Sequence, residues 1–126
     1  GEYDTAFEYL TKAAGLGDIN AHYDLSRLYE KGEGVEKDEK KGLYHLEEAV
    51  IAGHPEARFR LGCIEGRHGR IDRMVEHFII SANLGHDESI EVMKLCYKEG
   101  RVSKEDFASA LRAHQAAVNE TKSPQR

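Results

Sequence analysis

Ala6-Phe7-Glu8-Tyr9-Leu10-Thr11-Lys12-Ala13-Ala14-Gly15-Leu16-Gly17-Asp18 lies over Gly42-Leu43-Tyr44-His45-Leu46-Glu47-Glu48-Ala49-Val50-Ile51-Ala52-Gly53-His54 at an offset of 36 residues. The same offset carries Ala21 onto Ala57, Tyr23 onto Phe59, Leu25 onto Leu61 and Leu28 onto Ile64, so the match continues into a second segment. A third copy follows at an offset of 32, with Leu46 on Phe78, Ala49 on Ser81, Gly53 on Gly85, Leu61 on Met93 and Ile64 on Cys96. The four lost residues come from the connector, where residues 31–41 are replaced by the shorter Arg67-His68-Gly69-Arg70-Ile71-Asp72-Arg73. A fixed period in this range marks a repeat architecture, in which each unit buries its apolar face only against its neighbours.

Within a unit, small and apolar residues recur at helical spacing, as in Ala6, Leu10, Ala13, Ala14 and in Ala21, Leu25, Leu28, Tyr29. Each unit therefore reads as two amphipathic helices. The turn between them is Gly17-Asp18, Gly53-His54-Pro55 or Gly85-His86-Asp87, which makes Asp18, His54 and His86 equivalent N-cap positions. The spacing predicts helices over 4–14, 19–31, 38–52, 55–67, 72–84, 87–99 and 104–120. The last is read as lying outside the period. Ser103 begins a capping box with an acid three residues on, and Phe107, Ala110, Leu111, His114 and Val118 form one stripe suited to covering the end of a stack.

The composition agrees with a soluble chain of packed helices. Of 126 residues, 40% are hydrophobic and 33% charged, with 12 Gly and only 2 Pro. This length buries roughly two thirds of the surface of the unfolded chain without help from disulfides. The formal charge is −5, and it is uneven: residues 1–66 hold 14 acids and 8 bases (net −6), residues 67–126 hold 9 acids and 10 bases (net +1). Such a balance argues against nucleic acid or an anionic membrane as partner. No apolar run approaches the roughly 20 residues of a membrane helix, and no signal peptide is visible. The first residue is Gly1 rather than Met, which reads as a fragment cut between repeats.

Ala6-x-x-Tyr9-Leu10-x-Lys12-Ala13-Ala14, Gly17-Asp18, Ala21, Leu25, Leu28-Tyr29, Gly32-x-Gly34-Val35 and Asp38 closely resemble the Sel-1-like repeat, a relative of the tetratricopeptide repeat. The resemblance covers about residues 4–100. It implies an all-α, right-handed α-solenoid of about three helix-turn-helix repeats over residues 1–100, followed by the C-terminal capping helix at 101–121 and a flexible tail at 122–126. It also implies first helices on the concave side and an adaptor role. Some secreted members bridge the two helices of a repeat with paired cysteines. Here Cys63 and Cys96 lie in second helices of different units, so that pattern is absent and an intracellular, reducing, cytoplasmic setting is expected. Cys96 aligns with buried positions, while Cys63 is expected to be partly exposed and the more reactive thiol.

No nucleophile-base spacing, phosphate loop or metal-ligand motif is present, so the chain is read as non-catalytic and without cofactor or metal. His45 and His77 are equivalent, as are His54 and His86; each pair is a candidate for contact between neighbouring units, and equivalence also follows simply from repetition. Arg67, Arg70 and Arg73 read as a solvated connector, with an acidic partner as the sharper alternative. The remaining candidate site is a strip on the concave face of the first helices: Phe7, Thr11, Leu43, Glu47, Val75 and Ile79, flanked by Tyr44. Its apolar members also suit contact between adjacent first helices. The expected function is a protein-interaction module that binds a protein or extended peptide. The alternative is a structural block positioning a catalytic or zinc-binding domain upstream of Gly1.

Overall fold

The computed structural model describes residues 2–122. Among them are seven helices and no strand: α1 (Glu2–Gly15), α2 (Ile19–Lys31), α3 (Glu39–Ile51), α4 (Pro55–Arg67), α5 (Ile71–Asn83), α6 (Asp87–Lys98) and α7 (Lys104–Lys122). This is an all-α helical repeat of the solenoid kind, three helix-turn-helix pairs followed by one further helix. α1 begins two residues before the predicted start. α7 runs on through Lys122, the first residue of the expected tail, and the rest of that tail lies outside the described residues.

The hairpin turns show the period most directly. Gly17, Gly53 and Gly85 all have φ +91°, a left-handed conformation that a side chain would strain. Each of these glycines donates its N–H to the carbonyl three residues back, and the following residue donates to the carbonyl five back. The bonds are Gly17 to Ala14 and Asp18 to Ala13, Gly53 to Val50 and His54 to Ala49, and Gly85 to Ala82 and His86 to Ser81, all between 2.9 and 3.1 Å. This paired bonding is the glycine-closed helix end in which orphan carbonyls find partners. The three equivalent N-cap positions then diverge. The Asp18 carboxylate accepts from Ala21 N–H at 3.1 Å, and His54 Nδ1 accepts from Ala57 N–H at 3.1 Å. His86 does not cap the backbone and instead meets the Ser89 hydroxyl at 2.9 Å.

The chain divides into two compact units after Ala57. In the first, α2 packs against both α1 and α3. Ala14, Ala21 and Leu25 form a buried cluster against which Phe7, Leu10, Ala13 and Leu28 pack. The connector after α2 turns at Gly32, whose φ of +72° favours glycine and where an added Cβ would lie a tight 3.2 Å from the Lys37 Cβ. Asp38 closes the connector by donating its N–H to the Tyr29 carbonyl at 3.0 Å and accepting from Lys41 N–H at 3.1 Å, which starts α3.

The second unit has the larger core: Phe59, Met74, Val75, Phe78, Met93, Cys96, Val102 and Ala110. α7 packs on α5 and α6, and the Ser103 hydroxyl caps it by accepting from Asp106 N–H at 3.0 Å. Fully buried Ala110 lies 32 residues after Phe78, which itself follows Leu46 and Leu10 at the repeat offsets.

Candidate functional site

The expected strip does not survive whole. Val75 is only 6% exposed and belongs to the core of the second unit, so it is no surface contact. α7 packs on α5, and Phe107 packs against the cluster to which Val75 belongs. Ile79 is half-buried against the same core, while Ile80 beside it is 40% exposed. In the first unit, Phe7 is half-buried and Thr11 is exposed with its hydroxyl donating to the Phe7 carbonyl at 2.8 Å. Leu43 (40% exposed), Tyr44 (56%) and Glu47 remain on the surface of α3.

Leu43 and Tyr44 border an aromatic cluster built from three helices of the first unit. Tyr29 of α2 receives Phe7 edge-on, with ring centroids 5.8 Å apart at 87°, and lies parallel to His45 of α3 at 5.8 Å and 3°. His45 meets His22 of α2, Nδ1 to Nδ1 at 2.9 Å. One ring must donate in that bond and the other must accept, so the acceptor is neutral. Tyr44 stands edge-on to both rings, at 5.0 Å from His45 and 6.4 Å from His22. Burial, then the neighbouring His22, pushes His45 below the usual histidine value, against the opposing pull of Glu48. On the other side of Tyr29, a shallow depression of ≈ 330 Å³ is lined by Phe7, Tyr29, Val35, Glu36, Lys37, Asp38 and Lys41. Lys41 holds its ammonium 5.8 Å from the centre of the Tyr29 ring, within the range of cation-π attraction.

The second unit fills the same register differently. His77, equivalent to His45, faces Arg58, equivalent to His22, with Nη1 and Nδ1 3.2 Å apart. Burial and then Arg58 hold its pKa down. Glu65 stands where Tyr29 stands and is buried. Its carboxylate accepts two bonds from Arg70, at 2.8 and 3.1 Å, and one at 3.5 Å from Arg73. The Arg70 hydrogen bond above all holds Glu65 below the ordinary carboxylate value. Arg70 and Arg73 are therefore not a free connector awaiting an acidic partner; Glu65 already supplies the acid, while Arg67 is exposed.

The histidine pairs find their contacts in the second helix of the unit before. His54 stacks on Tyr23 at 4.5 Å, and His86 lies over Phe59 at 4.8 Å. Cys96 is buried, as its alignment predicts, and Cys63 is half-buried. Burial is the main cause raising both thiols, so the partial exposure of Cys63 does not bring the thiolate that reactivity requires. Among the described residues, no group of three or more His, Cys, Asp or Glu is placed to hold a metal ion, and no helix is long and apolar enough to cross a membrane.

Comparison with known proteins accords with this architecture. The Sel1 repeat model matches residues 2–18 and 19–54. Among curated proteins, chitin synthase regulatory factor 4 of Schizosaccharomyces pombe is 27% identical over 89% of this chain and 18% of its own length. DAP3-binding cell death enhancer 1 of Rattus norvegicus is 22% identical over 94% of this chain and 31% of its own length. The chain thus spans less than a third of either relative. Among solved structures, a protective antigen of uropathogenic Escherichia coli with an SLR fold superposes with TM-score 0.67 at 28% identity, covering 90% of this chain and 25% of that one. A Sel1 repeat protein from Oxalobacter formigenes superposes with TM-score 0.66 at 24% identity, covering 89% and 96%.

Proposed function

Because the chain belongs to the Sel1-like repeat family, whose members are generally non-catalytic protein-interaction modules, we propose that it is an adaptor that binds a protein or extended peptide on α3. Leu43, Tyr44 and Glu47 form the centre of the site, and Phe7 and Thr11 form its α1 edge. This is the side expected to be concave. The observation that carries the reading is Tyr44: a 56% exposed aromatic whose ring stands edge-on against two packed histidines, hence an apolar anchor at the surface. The depression beside Tyr29 adds a shallow receptacle of mixed charge, with Glu36 and Asp38 beside Lys37 and Lys41, rather than a closed reaction chamber. The net charge of −6 over residues 1–66 favours a basic or amide-rich ligand. Two relatives are named a regulatory factor and a DAP3-binding protein, which suits this role.

The test is selection of displayed peptides against the chain, followed by affinity measurement with Leu43→Ser and Tyr44→Ala. Both residues are surface positions, so melting should stay unchanged while selected peptides bind about tenfold or more weakly. Peptides that bind both variants as tightly as the parent would remove the site from α3.

A further inference from the structure

His22 and Arg58 correspond at the repeat offset, yet only the second carries a permanent charge. In the first unit His22 meets His45 through Nδ1, a contact between rings that needs no ion. In the second, the Arg58 guanidinium is half-buried and donates from Nη1 to His77 Nδ1 at 3.2 Å. His77 does not balance it, because burial and Arg58 itself hold this imidazole towards its neutral form. The Arg58 Nε is buried without a hydrogen-bond partner, and no carboxylate among the described residues forms an ion pair with the group. Arg58 also lies in the first turn of α4, where the helix end carries partial positive charge and disfavours a cation.

A cation withdrawn from water is costly until an anion meets it. For buried Glu65 the chain meets the same need itself, through Arg70 and Arg73. Glu65 is thereby occupied, and Glu76, which stands where Tyr44 stands in the first unit, is exposed. The chemistry missing at Arg58 is a single negative charge on a planar group. A carboxylate fits the guanidinium fork with two parallel bonds and brings one charge. A phosphate dianion fits less well, because Glu65 and Glu76 both act on His77 and would repel the second charge. Along α5, Ile80 and the C-cap Leu84 follow His77 at three and seven residues, on the same face, and are 40% and 44% exposed. These apolar neighbours give a peptide a contact that a free small anion would not use.

We propose that Arg58 is a docking point for an aspartate or glutamate side chain of a partner protein, with an adjoining apolar residue of that partner resting on Ile80 and Leu84. The carboxylate meets the guanidinium end-on, at its two terminal nitrogens. The site shares no residue with the α3 surface that Tyr44 marks, and it takes the opposite charge.

The probe is a matched pair of blocked tripeptides, acetyl-Leu-Glu-Leu-amide and acetyl-Leu-Gln-Leu-amide, titrated into the full chain. NMR follows the Arg58 Nε–H, which burial shields from exchange with solvent, and the His77 ring. The acidic peptide should shift the Nε–H saturably, raise the His77 titration by facing it with a carboxylate, and bind about tenfold or more tightly than the amide. Arg58→Gln should erase the difference, and Tyr44→Ala should leave it intact. The contrast between the peptides is read in the parent chain, so it stands even if Arg58→Gln folds poorly. Equal binding of the two peptides, no binding, or a difference that survives Arg58→Gln or is removed by Tyr44→Ala overturns the proposal. So does sodium acetate that binds as tightly as the acidic peptide, because a free carboxylate would then be the occupant.

Discussion

The two units use one helical register to opposite chemical ends. At the position shared by Tyr29 and Glu65, the first unit places an aromatic ring between Phe7 and His45, and the second places a buried carboxylate under Arg70 and Arg73. At the position shared by His22 and Arg58, the partner of the facing histidine changes from a second imidazole to a permanent cation. The helix period therefore dictates where a side chain points, while its neighbours in space decide whether it packs as a ring, pairs as an ion or stays at the surface. Leu43 and Val75 show the same rule: register mates, one 40% exposed, the other buried in the core of the second unit.

The largest predicted effect separates the two cores. The cluster in the first unit is made of small side chains around Leu25, and that of the second unit is centred on Phe78, 1% exposed and stacked on Phe59 at 5.2 Å. Phe78→Ala should cost about 3–5 kcal/mol, the range for emptying a packed aromatic site. Gly62→Ala should cost about 1–3 kcal/mol, although alanine is the better helix former, because its Cβ would fall 2.7 Å from the Phe78 ring. Combining Gly62→Ala with Phe78→Leu should recover part of that loss. Thermal and urea unfolding measure all three, and a Gly62→Ala chain more stable than the parent would show that the ring is not held where the fold places it.

Much of this was legible in the sequence. The offsets of 36 and 32 carried the helix pairs, and glycine before the N-cap identified turns that share one φ. Periodicity within a single helix could not show which neighbour covers a given apolar residue, and for that reason Val75 was read as surface. Glu65 was missed for another reason. Its arginines follow at five and eight residues, across a helix end, where helical spacing gives no rule. The available signal was an acid interrupting an apolar stripe at the place of Tyr29 and Tyr97.

Glu65 gives the intermediate effect. Its carboxylate is 12% exposed but its partners are 43% and 67% exposed, so solvent screens part of the attraction. Glu65→Gln should cost about 1–2 kcal/mol, less in high salt. Folding holds this pKa below the ordinary value of 4.5, so the unfolded chain binds the proton more readily. The stabilisation is therefore full above pH 4.5 and disappears as pH falls through the lower folded value. Melting curves of parent and Glu65→Gln should converge only in that acid range. Convergence at neutral pH would mean that the arginines hold no buried carboxylate.

The smallest effect tests whether a histidine and an arginine at one register position do equivalent work. His45 and His77 are both held below the ordinary histidine value of 6.5, chiefly by burial, with His22 adding to the effect on the first and Arg58 on the second. Unfolding therefore takes up protons in both units. The stability contributed by each neutral ring is full above pH 6.5, declines as pH drops through that value, and falls no further below the folded pKa. His45→Gln and His77→Gln should each flatten part of the decline that sets in as pH drops through 6.5. His22→Asn should raise the His45 titration, because it removes the neighbouring imidazole that holds His45 down, and leave that of His77 in place, because the neighbour of His77 is Arg58. Proton NMR of the imidazole C–H signals follows each ring separately. If His45 titrated at or above 6.5 in the parent, its ring would not be the buried neutral partner on which Tyr44 rests, and the contrast between the units would reduce to Glu65 alone.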